Sequence, residues 1–406
     1  MATELAREIA AEARSSVREV TDALDAEMFA SWLVSTWNLG PGALIGADPE
    51  EEIGLRVVTA LERAGDARAL AALRAVASVG SDPIAPASDA AADRLAKAGV
   101  AEPAWRDGLG TARGLRALVM RDVVFDDAAN VIFEFERPGQ EPYAILVLID
   151  HNLGGIAKDI IAGPAVDHLM EAIARVPEEE AGAGELRFEE IRLAEAAARC
   201  REALRRTEHT LEAPVGEDFK PQVAAVAAHM RVLPDDGESY EPVEVSDSER
   251  QAALEGFLAS PEAEPFRGSD DAADLATLAI GYCADYLDGE GRPLRWSPVV
   301  VELFMCDFLP RKVVREPEFF EHAVPKLLPA WVRYAGRSRE IPEAAIEEAV
   351  SAVDAFRDEM LGLVRDESAW GPSKIFMKAA MDAGVDLTDQ AAIEAFIEDY
   401  NSGLAA

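Results

Sequence analysis

The spacing of hydrophobic positions changes twice along the chain and divides it into three parts. Up to about residue 108 the period is helical. Leu5, Ile9, Val17, Val20 and Leu24 make the apolar side of an N-terminal amphipathic helix. Asp48-Pro49-Glu50-Glu51 reads as a helix start, with a capping Asp, Pro in the first turn and Glu at the third position; that helix stops at Gly65. Asp66 caps the next helix, which runs through Leu70, Leu73 and Val76 to Gly80. Residues 81–88 read as a linker before a third helix that passes Leu95 and ends at Gly99. Phe29, Trp32, Leu33 and Trp37 are the expected core anchors of a bundle or stack of helical hairpins.

From 109 to 240 the pattern shortens. Residues 115–124, 130–136 and 143–150 are rich in Val, Ile, Leu, Phe and Tyr, with turn sequences between them. Ile132-Phe-Glu-Phe-Glu136 alternates apolar and acidic, as a half-exposed strand does, while Ala144–Ile149 is continuously apolar, as a strand buried on both faces would be. The spacing predicts an antiparallel meander followed by helices over 165–175 and 187–208, with His229–Asp236 as a last strand or a closing segment. Proline and acid crowd residues 234–242, which mark a boundary.

From 241 to 406 the helical period returns. Ser246-Asp-Ser-Glu249 is a capping box, Ser269 a cap, and Ser297-Pro298 opens a nearly wholly apolar helix that Pro310 is expected to stop. Pro325 and Pro329 should bend the helix carrying Phe320, Leu327 and Trp331, and Pro342 opens a long helix through Ile346 and Val353. Two short helices, 372–383 and 389–400, finish the chain. The fold class that follows is α+β, mostly α: a helical domain at 1–108, a small antiparallel sheet with helices at 109–240, and a helical domain at 241–406.

Charge narrows the function. The 406 residues carry 39 basic and 76 acidic side chains, a net charge of −37, so phosphate backbones and anionic lipid are repelled. No apolar run approaches the roughly 18 residues of a membrane span. Cys200, Cys283 and Cys306 are widely separated, which excludes a disulfide scaffold and fits a reducing, cytoplasmic setting. The partners this leaves are proteins, with neither nucleic acid nor membrane.

The stretch richest in chemistry is Asp150-His151-Asn152-Leu153-Gly154-Gly155-Ile156-Ala157-Lys158-Asp159. An apolar strand runs into polar residues and a Gly pair, then into a pattern read as helical, whose free N–H groups would suit an anion. Gly154 and Gly155 are the cofactor-binding candidates, and Asp150, His151, Lys158 and Asp159 the catalytic ones. With His168 and Glu171, three apart on the next helix, His151 and Asp159 are the types that bind a divalent metal. The plainer reading gives the glycines a turn and His151 a backbone hydrogen bond. The residues favour it, because the stretch matches no nucleotide-binding or zinc-protease motif. No cofactor or metal is favoured.

Asp270-Asp271-Ala-Ala-Asp274 matches the D-D-x-x-D string of terpenoid synthases, but Ser269 in the cap position makes its acids first-turn residues that favour the helix dipole. Glu302 and Asp307 interrupt an apolar helix and are expected to be partly buried, with Arg295, Arg311 or Arg315 as counter-charge. Residues 372–400 have helix–turn–helix proportions, yet the second helix presents Asp389, Glu394, Glu398 and Asp399, which excludes base reading and makes it a docking helix.

The segments RWSPVVVELFMCDFLPRK and AGVDLTDQAAIEAFIEDYN, in the C-terminal third, resemble parts of uncharacterised actinobacterial proteins. The resemblance implies lineage and compartment and carries no activity. Sequence alone therefore leaves two readings: a protein-interaction or regulatory protein, slightly preferred, and a metal-assisted hydrolase using the Asp150–Glu171 region.

Overall fold

The structure is a computed structural model that describes residues 2–37, 53–173, 186–210, 213–238, 244–286, 292–386 and 389–404. The chain forms two compact units, Met1–Glu241 and Pro242–Ala406, so the N-terminal helices and the sheet belong to one unit. The expected helix start at Asp48–Glu51 lies outside the described residues. No helix among the described residues is long and apolar enough to cross a membrane.

In the first unit, helices α1 (Ala2–Ser16), α2 (Ala23–Ser35), α3 (Leu55–Ala64), α4 (Ala67–Val79) and α5 (Ile84–Lys97) enclose one core around Leu33, Trp37, Leu61, Leu70 and Leu73. Gly65 ends α3 at φ 67°, and the Asp66 carboxylate accepts from Ala69 N at 2.9 Å to start α4. Leu5 is exposed, contrary to expectation; α1 buries Ala6, Ala10 and Ala13 beside the expected Ile9. Alanines at that spacing form a flat face that lets neighbouring helices approach closely. The expected linker over 81–88 already contains the first turn of α5. Pro86 is tolerated there because first-turn N–H groups have no intrahelical acceptor.

Among the described residues the sheet has five antiparallel strands, β1 (Arg113–Asp122), β2 (Ala128–Glu136), β3 (Tyr143–Asp150), β4 (Ile156–Pro164) and β5 (Leu186–Ile191), in the order β4-β3-β2-β1-β5. Two expected helices are corrected here. Residues after Gly155 continue as β4, whose Ile156, Ala157 and Ile160 turn inward. Residues 186–191 form β5, so helix α7 spans only Leu193–His209. Sheet pairing with β3 and β1 overrides the local helical spacing in both cases.

One sheet face, with Phe133, Phe135, Ile145 and Val147, is covered by α7 and by α8 (Phe219–Arg231). Thus α8 occupies the start of the segment expected as a strand. The other face, with Leu118, Ile132 and Leu146, is covered by α6 (Val166–Ile173). Glu134 is buried rather than half-exposed: it bonds Arg116 at 2.7 Å and caps α6 by accepting from Val166 N at 3.0 Å. Helix α8 also packs Ala224 and Ala228 on the N-terminal core and donates from Ala225 N to Ser31 Oγ at 3.0 Å, tying helices and sheet together.

The second unit contains α9 (Asp247–Ala259), α10 (Asp270–Gly281), α11 (Pro298–Leu303), α12 (Leu309–Lys312), α13 (Val324–Ser338), α14 (Glu343–Ala355), α15 (Arg357–Arg365), α16 (Pro372–Asp382) and α17 (Gln390–Leu404). The Ser246–Glu249 capping box is formed, and Ser297 Oγ accepts from Val300 N. Among the described residues, π-helical turns at Tyr282–Tyr286, Phe304–Phe308 and Phe319–Ala323 interrupt the α-helices. Pro310 therefore does not stop its helix: the wider turn before it absorbs the missing N–H, and α12 continues to Lys312. Phe257, Tyr282, Trp296, Phe304 and Trp331 make the buried aromatic core.

Candidate functional site

The Asp150–Asp159 stretch is a β-hairpin connection. Gly154 and Gly155 stand at φ 77° and 68°, a left-handed pair that turns β3 back into β4. A Cβ at Gly155 would lie 2.9 Å from an Arg206 guanidinium nitrogen. Arg206 itself donates to Gly154 O at 2.9 Å and pairs with Glu202, whose carboxyl Arg205 and Arg206 hold at about 2. The Asp150 carboxylate accepts from Asn152 N and from Lys158 Nζ, each at 2.9 Å. His151 donates from Nδ1 to Asp126 O at 2.9 Å, and its backbone N–H bonds Asp127 O at 2.9 Å. Asp126 is itself in the left-handed region at φ 57°.

Asp150, His151 and Lys158 therefore meet at one end of the sheet, where their polar groups close the turn. Asp159 is directed elsewhere, accepting from Ile160 N at 2.8 Å and facing the tight backbone approach at Gly216. The register pairs Asp150 with Ile156 and Tyr143 with Pro164, so the chain reaches α6 from the end of the hairpin opposite to His151. Helix α6, carrying His168 and Glu171, is anchored there through Glu134 and the 2.6 Å bond of Arg116 to Asp167. Among the described residues no group of three or more His, Cys, Asp or Glu is placed to hold a metal ion. Nor does the glycine pair precede a helix whose N-terminus would receive an anion.

A second polar constellation escaped the sequence reading. Glu27, Arg137, Tyr143 and His229 are all buried where α2, the β2–β3 hairpin and α8 meet. Arg137 donates to both Glu27 oxygens, at 3.2 and 2.5 Å, to Gly108 O at 2.7 Å and to the Tyr143 hydroxyl at 3.2 Å. His229 Nδ1 lies 2.8 Å from Ala225 O, which can only accept, so Nε2 is the acceptor facing the Tyr143 hydroxyl at 2.8 Å. Burial pushes His229 down and Tyr143 up to about 12; burial also opposes the Arg137 charge, but Glu27 outweighs it and raises Arg137. Every strong donor and acceptor in this cluster has a partner within it. The available signal was Glu27, an acid on the alanine face of α2, which required a buried cation.

In the second unit, Asp270 and Asp271 fall in the first turn of α10, and Asp274 pairs with Arg315 at 2.7 Å. Ser269 occupies the cap position without a side-chain cap bond. Glu302 is exposed, correcting the expectation, whereas half-buried Asp307 pairs with Arg311 at 2.9 Å and accepts from the Tyr286 hydroxyl at 3.2 Å. Burial, with Glu359 and Glu302 nearby, pushes the Cys306 thiol up to about 12, far from thiolate chemistry. Lys374 is buried, donates to Pro310 O at 2.8 Å and lies 4.8 Å from the Trp370 ring centre; burial pushes it down to about 8.

The terminal pair α16–α17 is joined by Phe376, which lies 5.5 Å from Phe396 and 5.3 Å from Tyr400, ring centre to ring centre. On this pair Ile375, Met377, Met381 and Ile397 are exposed, as are Asp382, Asp389 and Glu394, and Asp382 pairs with Lys378. No protein-family model, curated protein or solved structure matches the chain.

Proposed function

We infer that this protein acts by binding another protein through the α16–α17 pair, and that the bound segment is a basic amphipathic helix. The observation that carries this reading is the exposure of apolar side chains on that pair: Met377 and Met381 on one side of α16, Ile375 on another and Ile397 on α17, each 37–49% exposed. Met377 and Met381 are four apart and share a face, and methionine adapts its shape to apolar partners. The net charge of −37 favours Lys and Arg on the partner and disfavours phosphate or anionic lipid. The hydrolase alternative needs Asp150, Asp159, His151, His168 and Glu171 around one ion. The hairpin supports it poorly, because it directs these residues to different ends and sides.

The test uses the full chain and two helical peptides, one patterned with Lys and Leu, the other with Glu and Leu. The Lys-patterned peptide binds, and Met377→Asp with Met381→Asp weakens it about tenfold or more. Leu5→Asp, at an exposed apolar position in the other unit, leaves binding unchanged. Binding that ignores the methionine substitutions overturns the reading.

A further inference from the structure

The two edges of the sheet are treated differently. Edge strand β4 is covered: Lys158 O accepts from Gly216 N at 2.9 Å, Ile160 O from Gln222 at 3.1 Å, and Ala157 O from the Thr207 hydroxyl at 2.8 Å. At the other edge β5 pairs with β1, and among the described residues none hydrogen-bonds its outward backbone groups. Leu186, Arg187, Glu189 and Glu190 on it are exposed. An open edge is a template for another strand.

The charges on β5 select what that strand is. The register sets Arg187 directly opposite Arg121 of β1, a like-charge pair that destabilises a ladder. Among the described residues no carboxylate lies within ion-pair distance of Arg187, while Glu189 has Arg121 at 3.9 Å. Arg187 and Glu189 are two apart and so share a sheet face. An antiparallel copy of the same strand, related by a two-fold axis through Phe188, brings Glu189 of each copy opposite Arg187 of the other. It also sets Phe188 against Phe188, on the face where Phe188 already packs with Leu118 and Ile132. Moving the axis to Glu189 puts acid against acid, and moving it to Arg187 puts base against base. A slip by one residue sends side chains to the wrong face.

We propose that β5 is the docking edge for a second copy of this chain, the two β5 strands pairing antiparallel about Phe188 to join two sheets into one. Arg187 gains a carboxylate that no described residue of its own chain supplies, and the interface is isologous, as a two-fold dimer requires. The net charge of −37 opposes association at low salt, so the pairing belongs at physiological ionic strength, where repulsion is screened over about 8 Å.

Light scattering on the full chain, after size-exclusion chromatography at physiological salt, reads the mass directly. The unchanged chain is expected at about twice its 43.7 kDa. Arg187→Glu and Glu189→Arg, both at exposed positions, each give a folded monomer by circular dichroism. Mixed in equal amounts, the two variants recover the dimer, because each supplies the charge the other needs at both crossing points. The double variant dimerises as well. A monomeric unchanged chain overturns the proposal, as does a dimer that survives both single substitutions. A mixture of folded variants that stays monomeric also overturns it.

Discussion

Arg137 in the first unit and Lys374 in the second are both buried cations, and the fold answers their charges differently. Arg137 faces the two oxygens of Glu27, a carbonyl and a phenol, and its pKa moves up. No described carboxylate lies within ion-pair distance of Lys374. It has Pro310 O and the faces of Trp370 and Phe320, at 4.8 and 5.7 Å, and burial brings it down to about 8. A counter-charge offsets desolvation; one dipole and two rings do not. The residue types agree with this. Arginine cannot discharge, so it stands where a carboxylate must always be met, whereas lysine can shed its proton where burial outweighs its bonds.

The largest test of that contrast is Glu27→Gln. It leaves Arg137 buried without its counter-charge, and loss of one partner of such a pair costs about 3–5 kcal/mol. Urea unfolding of the full chain should show the transition of the first unit shifted accordingly. Adding Arg137→Met should return much of the loss, since both charges are then gone. A loss below about 1 kcal/mol in the single variant would show that Glu27 is not what makes the Arg137 charge tolerable.

Acid and base should separate the two sites by pH window, because both groups are depressed in the folded chain and stability rises with pH through each. Between about 8 and its ordinary 10.5 Lys374 is neutral in the folded chain but protonated in the unfolded one. The unfolded state binds the extra proton, so stability of the second unit rises across that window, by about 2–3 kcal/mol at about 1.4 per pH unit. Lys374→Met removes the rise. In the first unit burial depresses His229 below its ordinary 6.5, so the unfolded chain takes the proton first and stability falls as pH drops below about 6.5. Melting temperatures of both units from pH 5 to 10.5 read both slopes, and a Lys374→Met chain with the same alkaline slope would refute the assignment.

Which parts of this were legible in the sequence follows from how local each cause is. The Asp66 cap, the Gly65 stop and the Ser246–Glu249 box depend on three or four neighbouring residues, and they appear as read. The meander from β1 to β3 was legible because alternation and turn residues agree. Strand β4 was misread, since Ile156, Ile160 and Ile161 also fit a helical period, and only pairing with β3 decides between them. Of the site candidates, Asp150, His151 and Lys158 do lie together, because one short turn joins them. Glu27, Arg137 and His229 come from positions some 90 to 200 residues apart, and no periodicity connects them.

The smallest expected effect sharpens the comparison most. Asp307 and Arg311 are the same chemical pair as Glu27 and Arg137, at a similar 2.9 Å, but their side chains are 36% and 47% exposed against 4% and 1%. Water already solvates both ions, so desolvation is small and so is the gain on pairing. A double-mutant cycle of Asp307→Asn and Arg311→Ala should give a coupling below about 1 kcal/mol, fading further at 1 M salt, where screening reaches about 3 Å. The same cycle at Glu27 and Arg137 should be several times larger and insensitive to salt, because water and ions do not reach it. If the two couplings prove equal, burial is not what distinguishes the pairs. The Tyr286 hydroxyl, 3.2 Å from Asp307, would then be the first contact to remove, by Tyr286→Phe.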